Sequence, residues 1–443
     1  MSTSMVTKGI MLFAATSTCL LSASGCGVQA SSAKSKTLVI WTFVQDYQQL
    51  YDELAPSFEK MHPGVKIDVE LLDYNSEEQK YTIVRTSNGV NAPDIIDVEQ
   101  GMFPNFMRGD VPFVPLNSDM KKSGLLHAES PGRQALYTVN GNIYGVEHAA
   151  CVSALYYRKD LYAKAGIDVS KLKTWNQFVQ ASKKLTGPNR YIFPSGQTGD
   201  TTQEGEFEML LRQAGGDVVT KDGQIGLDTP KAVKVLQMMR SWQQQGIEDK
   251  DSPTGLQFWN GFKTGRYIAA FGPDWWAFEL AAQVPSLKGK WGAVPMPKGA
   301  PDWATTTDSG GTGTMISKYS SNKQLAWEFI KYALLTPSSV VKQYEIDQNF
   351  PSLLTALNQP KLYANNQFAK FFGKTNGKTI AELYKSLVPG EPAQNQAWWR
   401  VYVGDAWGKY EFQYESGQLT AAQFLAKVKN ALQQDIDQEQ MKS

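Results

Sequence analysis

The groups in this 443-residue chain that could do chemistry are carboxylates, amides and indoles placed just after short apolar runs. Phe43, Gln45, Asp46 and Tyr47 follow the run at 37–41, and Glu99 and Gln100 follow the run at 93–98. Asp274, Trp275 and Trp276 follow residues 267–271 and a Gly272-Pro273 turn. A carboxylate or side-chain amide can hold neighbouring hydroxyls through two hydrogen bonds. An indole face packs against the C–H groups of a sugar ring. Asp308, Gly310 and Gly311 precede another apolar run, and glycine there lets the backbone approach a ligand closely. The chemistry this set suits is sugar recognition. Each residue also has a plainer use. Asp46 and Glu99 can cap the helices that follow them. One of the pair Trp275 and Trp276 packs inward, and Trp275 is the one expected against ligand. Trp303, Trp398 and Trp399 are further stacking candidates, with core packing as the alternative for each.

Catalytic patterns are missing. The chain contains no G-x-S-x-G, no H-E-x-x-H and no G-x-x-x-x-G-K-[ST]. A glycosidase needs two positioned carboxylates. Glu204, Glu206 and Glu208 are close in sequence, but a spacing of two scatters them around a helix, which reads as a solvated face. The three histidines, at 62, 127 and 148, lack metal-ligand spacing, so neither a metal nor a cofactor is expected. Lys and Arg number 44 against 43 Asp and Glu, a balance that points away from nucleic acid. The alternative readings are a secreted carbohydrate-active enzyme and a sugar-sensing surface receptor.

These groups need a scaffold. Residues 37–41 read as a buried strand, 49–61 as a helix with Leu50, Leu54 and Phe58 on one face, and 65–69 and 93–98 as strands. Strands follow at 143–146, 153–157, 267–271 and 312–317, with helices at 160–165, after Thr174, at 207–213, at 323–335 and through the tail from Tyr402. Strands alternating with helices predict parallel βαβ units and an open α/β sheet. In such sheets ligands sit beyond the carboxyl ends of the strands, where the candidates above lie.

The N-terminus reads as a processing signal. Lys8 precedes an apolar stretch from Gly9 that ends at Ala23-Ser24-Gly25-Cys26. Small residues before a cysteine resemble a bacterial lipobox, although Ala23 stands where leucine is usual. Residues 1–25 would be the signal peptide, Cys26 the acylated residue and 26–36 a tether. Cys151 is then the one thiol left, among small apolar neighbours, and reads as buried.

Several blocks resemble the extracellular solute-binding proteins of ATP-driven sugar importers, the maltose-binding-protein type. They are Leu38-Val39-Ile40-Trp41, Phe58-Glu59-Lys60-Met61-His62-Pro63-Gly64-Val65, Ala92-Pro93-Asp94-Ile95-Ile96 and Tyr156-Tyr157-Arg158-Lys159-Asp160-Leu161. Phe262-Lys263-Thr264-Gly265-Arg266-Tyr267 and Ala326-Trp327-Glu328-Phe329-Ile330 complete the order. The resemblance implies a two-lobed α/β fold, the type II periplasmic-binding-protein fold, with interleaved lobes and a hinge. Lobe one would span 37–147 and 306–350, and lobe two 148–305 and 351–443. Glu147 and His148 fall where the family's chain first crosses between lobes, so they are expected either on ligand hydroxyls or in a hinge ion pair. The resemblance also implies a monomer that clamps an oligosaccharide and passes it to membrane permease subunits. Its place would be the extracellular face of a Gram-positive-type cell membrane.

Ile40-Trp41-Thr42-Phe43 and the stretch from Pro93 to Glu99, continuing to Phe103, Phe106 and Gly109-Asp110-Val111-Pro112, resemble arabinose-oligosaccharide binders most. That makes arabinose units the expected ligand. Because stable anchoring rests on acyl chains at Cys26, Cys26→Ser is expected to release the protein to the medium or leave an unprocessed precursor. Fractionation of cells expressing the variant checks this, and mature-sized protein staying with the membrane counts against the lipobox.

Overall fold

The computed structural model describes residues 36–196 and 203–441. The expected signal peptide, Cys26 and the tether up to residue 35 lie outside the described residues. The strands that build the two main sheets are β1 (Lys36–Thr42), β2 (Val65–Leu71), β3 (Ile95–Glu99), β4 (Gly145–Glu147), β5 (Ala154–Arg158), β6 (Ala269–Gly272), β7 (Trp291–Val294) and β8 (Thr312–Ile316). The helices that bear on the site are α1 (Gln45–Met61), α2 (Tyr74–Thr86), α3 (Pro131–Leu136), α4 (Gln203–Gln213), α5 (Asp274–Gln283), α6 (Pro337–Asp347), α7 (Val403–Glu415) and α8 (Ala421–Met441).

The first sheet runs β2-β1-β3-β8-β4. Leu38 and Ile40 of β1 face one apolar cluster with Ile95, Val146 and Ile316. Trp41 faces the opposite cluster with Ile96, Val98 and Met315. Helices and loops cover both faces, so these strands carry apolar residues on both sides. The second sheet runs β6-β5-β7 and likewise divides two clusters, with Leu155 and Phe271 on one side and Tyr156 and Trp291 on the other.

Parallel pairing holds for β1 with β2 and with β3. Elsewhere the expectation of parallel units is corrected. β8 lies antiparallel between β3 and β4, and both pairs in the second sheet are antiparallel. Parallel pairing needs a same-sense crossover. β8 instead enters from the far sheet, so its direction is set by the segment that crosses over. Helix α1 begins four residues before the expected start. The Val44 carbonyl accepts from the Tyr47 and Gln48 amides, which puts Asp46 in the first helical turn and not in a loop.

Three segments pass side by side between the sheets. The Ala150 amide donates to the Phe350 carbonyl at 2.6 Å, and the Ser153 amide to Thr307 at 2.8 Å. Cys151, buried as expected, has φ +52°, and Gln348 has φ +57°. Left-handed backbone costs a non-glycine residue about 1–2 kcal/mol, so packing around these segments must hold both residues there.

A chain of buried charges ties the segments to what surrounds them. Arg133 of α3 donates to Glu147 at 2.6 Å, to Asp308 at 3.2 Å and to the Gly310 carbonyl at 2.7 Å. Arg212 of α4 donates to the other oxygen of Asp308 at 2.7 Å. Gly311, at φ +123°, leaves the room this needs, since a Cβ there would lie 1.8 Å from Arg133 Nη2. The Glu147 carboxylate also accepts from the Thr312 and His148 amides, at 2.9 and 3.0 Å.

Removing one partner of a buried pair strands the rest. Arg133→Met is therefore expected to lower the unfolding free energy by about 3–5 kcal/mol, read from urea denaturation. Burial also pushes three carboxyls beside the crossing segments upward: Glu129 to about 8, Asp274 to about 7 and Asp347 to about 7. Unfolded, they titrate near 4. Between these limits the folded state binds more protons than the unfolded state, so stability falls as pH rises through that window. The urea midpoint is expected to be lower at pH 8.5 than at pH 5.5, and Asp274→Asn with Asp347→Asn should flatten the difference.

Candidate ligand-binding cleft

Trp275 is the best-placed candidate. It opens α5, where Asp274 fixes it from two sides: one carboxylate oxygen accepts from the Trp275 amide at 2.8 Å and the other from the Phe350 amide at 2.9 Å. The indole Nε1 donates to the Ser309 carbonyl at 2.9 Å, and the ring edge lies against Gly310, where a Cβ would meet Nε1 at 2.9 Å. The ring stays half-buried. It is thus a fixed aromatic face beside the crossing segments, able to stack against a sugar without ordering first.

The first sheet contributes Phe43, Asp46 and Glu99. Phe43 is half-buried and packs edge-on against Tyr74, with ring centroids 5.2 Å apart. Tyr74 donates to Glu99 at 3.3 Å, and the Gly101 amide donates to the same carboxylate oxygen at 2.6 Å. Burial lifts Glu99 to about 7, against the pull of those donors and of Arg400. Asp46 is half-buried too, and burial raises it. Its charge reaches Asp347 behind it.

For six other candidates the ligand role is corrected, because the protein's own packing takes up the residue. Glu147 is sealed beneath Arg133, with no side-chain surface exposed, and serves the hinge. His148 stacks on Tyr47 at 3.8 Å and bonds to Thr314 at 2.8 Å and Tyr51 at 3.1 Å. Trp276 is wholly buried and stacks on Tyr156 at 5.4 Å. Trp303 fills the second sheet's core, with Gly299 pressed against its ring. Trp399 donates to the Gly223 carbonyl at 3.2 Å from the same core. Gly311 admits Arg133 and passes its carbonyl to the Gln100 amide at 3.0 Å, so its close approach is to protein. The acidic face expected at 204–208 is not solvated: Glu206 and Glu208 are buried. Burial and the neighbouring Glu248 raise Glu206 well above the usual carboxylate range, and Glu208 forms ion pairs with Arg212 and Arg400.

Residues 391–397 and Arg400, which the sequence did not single out, carry buried polar atoms without partners among the described residues. Segment 391–397 runs beside α3, with Ala393 3.6 Å from where a Cβ on Gly132 would sit. Gln394 is fully buried, yet neither atom of its amide has a partner among the described residues. Gln396 donates to the Gln100 carbonyl at 3.2 Å, while the side-chain oxygens of both residues stay unbonded. Arg400 forms an ion pair with Glu208 and keeps Nη1 free. A buried polar atom without a partner costs about 1–3 kcal/mol. Hydroxyls, which both donate and accept, can satisfy all of them. Nothing in local sequence marks these amides. Only the neighbouring tryptophans hinted at the region.

Residues 42–338 match the family described as bacterial extracellular solute-binding protein. The arabinooligosaccharide-binding protein of Bacillus subtilis is 27% identical over 367 residues, covering 80% of this chain and 82% of its own. That of Halalkalibacterium halodurans is 24% identical over 352 residues, 78% of each chain. Among solved structures, the sugar-binding protein MalE of Xanthomonas citri superposes with a TM-score of 0.75 at 21% identity, covering 92% of this chain and 98% of the other. A binding protein from B. animalis subsp. lactis in complex with β-1,6-galactobiose gives 0.69 at 22%, covering 91% and 98%. Among the described residues no helix is long and apolar enough to cross a membrane. The family match and the two-sheet fold with its crossing segments agree: this chain belongs to the bacterial extracellular solute-binding proteins, whose work is binding and not catalysis.

Proposed function

We propose that the chain captures a neutral oligosaccharide built of arabinose units and delivers it to the permease subunits of an ABC importer. The lobes in this reading are 37–147 with 306–350, and 148–305 with 351–443. The protein acts as a monomer held by acylated Cys26 at the extracellular face of the membrane, and it uses no cofactor. The observation that supports this is the half-buried indole of Trp275, pinned by the Ser309 carbonyl beside the crossing segments. A stacking face with surplus donors and acceptors is what a sugar ring requires. Arg400 is already paired with Glu208, and Glu99 also lies within its field, so an acidic sugar would meet carboxylates. Arabinose is favoured by the names of the two relatives. Ligand that touches both lobes favours the closed state by its differential affinity, and the importer then recognises that state.

Calorimetric titration with arabinotriose, maltotriose and xylotriose tests the ligand. Arabinotriose is expected to bind in the micromolar range or tighter. Tight maltotriose binding with no arabinotriose signal would overturn the choice of sugar and leave the importer reading standing. Trp275→Ala is expected to weaken binding by about 1–3 kcal/mol with an unchanged melting temperature. Equal affinity in the folded variant moves the site elsewhere.

A further inference from the structure

Away from the crossing segments, Arg108 is one of the residues that join the two halves of the molecule. Arg108 follows the single turn Phe103–Phe106, whose core partners belong to the first sheet. Its backbone is fixed from behind, since Arg85 of α2 donates to the Arg108 carbonyl at 2.9 Å. Its side chain reaches across to α8, which packs through Val428, Leu432 and Ile436 into the second sheet's core. Nη1 donates to the Glu439 carboxylate at 2.9 Å, and Nη2 donates to the Glu439 backbone carbonyl. The guanidinium lies over the Trp398 ring, 5.1 Å from its centroid.

Four kinds of attraction converge on this one cation, the Glu439 carboxylate being the first. The Glu439 carbonyl is among the last four of α8, which have no partner within the helix. A cation there also meets the negative end of the helix dipole. The indole face adds a cation–π contact. None of these needs ligand, and all of them need the two halves to be together. The Gln396 amide on the Gln100 carbonyl, at 3.2 Å, joins the halves nearby.

We propose that Arg108, Glu439 and Trp398 form a latch that holds the closed state, so that Arg108 sets how long ligand stays without touching it. This rests on the clamp reading above. Arg108 is a positioning residue: it acts on the equilibrium between open and closed forms. Sugar enters the open form, so losing the latch leaves association alone. Sugar leaves through reopening, so losing the latch speeds dissociation.

The test is stopped-flow tryptophan fluorescence with arabinotriose, and with maltotriose as second probe, on wild type, Arg108→Ala and Arg108→Lys. Arg108→Ala is expected to raise the dissociation rate about three- to tenfold and to change association by less than about twofold. Lysine keeps the charge and one donor, so it restores part of the residence time. Arg108→Ala with Glu439→Ala should be no worse than the weaker single variant. Unchanged dissociation in folded Arg108→Ala, or slowed association alone, overturns the latch. If neither sugar binds wild type, the ligand reading has failed and a distance measurement decides the latch. Spin labels at Lys60→Cys and Lys263→Cys should then show longer distances in Arg108→Ala than in wild type, and identical distributions overturn the proposal.

Discussion

Asp308 is the point on which the architecture turns. One carboxylate serves two buried guanidinia that approach from different sides, Arg133 beside the first sheet and Arg212 from α4. Each charge is removed from water, which is costly, and each is tolerable only because the others are there. The chain of charges continues from Arg212 through Glu208 to Arg400, whose Nη1 has no partner among the described residues. Displacing Asp308 would take a partner from two buried cations at once. The glycine at 311 follows from the same constraint, since a side chain there would occupy the place of Arg133, while Gly310 makes room for the indole of Trp275.

The cleft is held ready by parts that never need to touch ligand. Asp274 joins the start of α5 to the segment at Phe350, and the Ser309 carbonyl fixes the indole of Trp275. Tyr74 and the Gly101 amide orient Glu99 in the same way. Fixing these groups beforehand reduces the ordering cost of binding. The protein carries the matching penalty in its own fold, as carboxyls raised by burial and as left-handed backbone at Cys151 and Gln348. Such costs gather where function needs a shape that packing alone would not choose.

How far the chain could be read depended on the range of the forces involved. β1, β2 and β3 were legible because apolar runs and alternation are local signals. Trp275 was legible because a strand, a Gly-Pro turn and an indole fall together within a few residues. Glu147 and His148 were located correctly, next to the first crossing, but their surroundings were not foreseeable. The partners that seal Glu147 are Arg133 and the Thr312 amide, the second 165 residues away. The acidic stretch at 204–208 misled for the same reason, since helical spacing gives the direction of each side chain but not what fills the space it enters.

The sequence by itself determined the class of fold, the family resemblance and the absence of catalytic motifs. Those rest on composition, periodicity and short motifs, which survive without knowledge of distant contacts. Tertiary structure alone decided which tryptophans are core and which stay half-buried, because burial is a property of neighbours far away in the chain. It alone brought Gln396 beside Gln100, and Arg108 onto the end of α8. It also set the direction of β8, since antiparallel entry follows from where the chain crosses between the sheets and not from the residues of the strand.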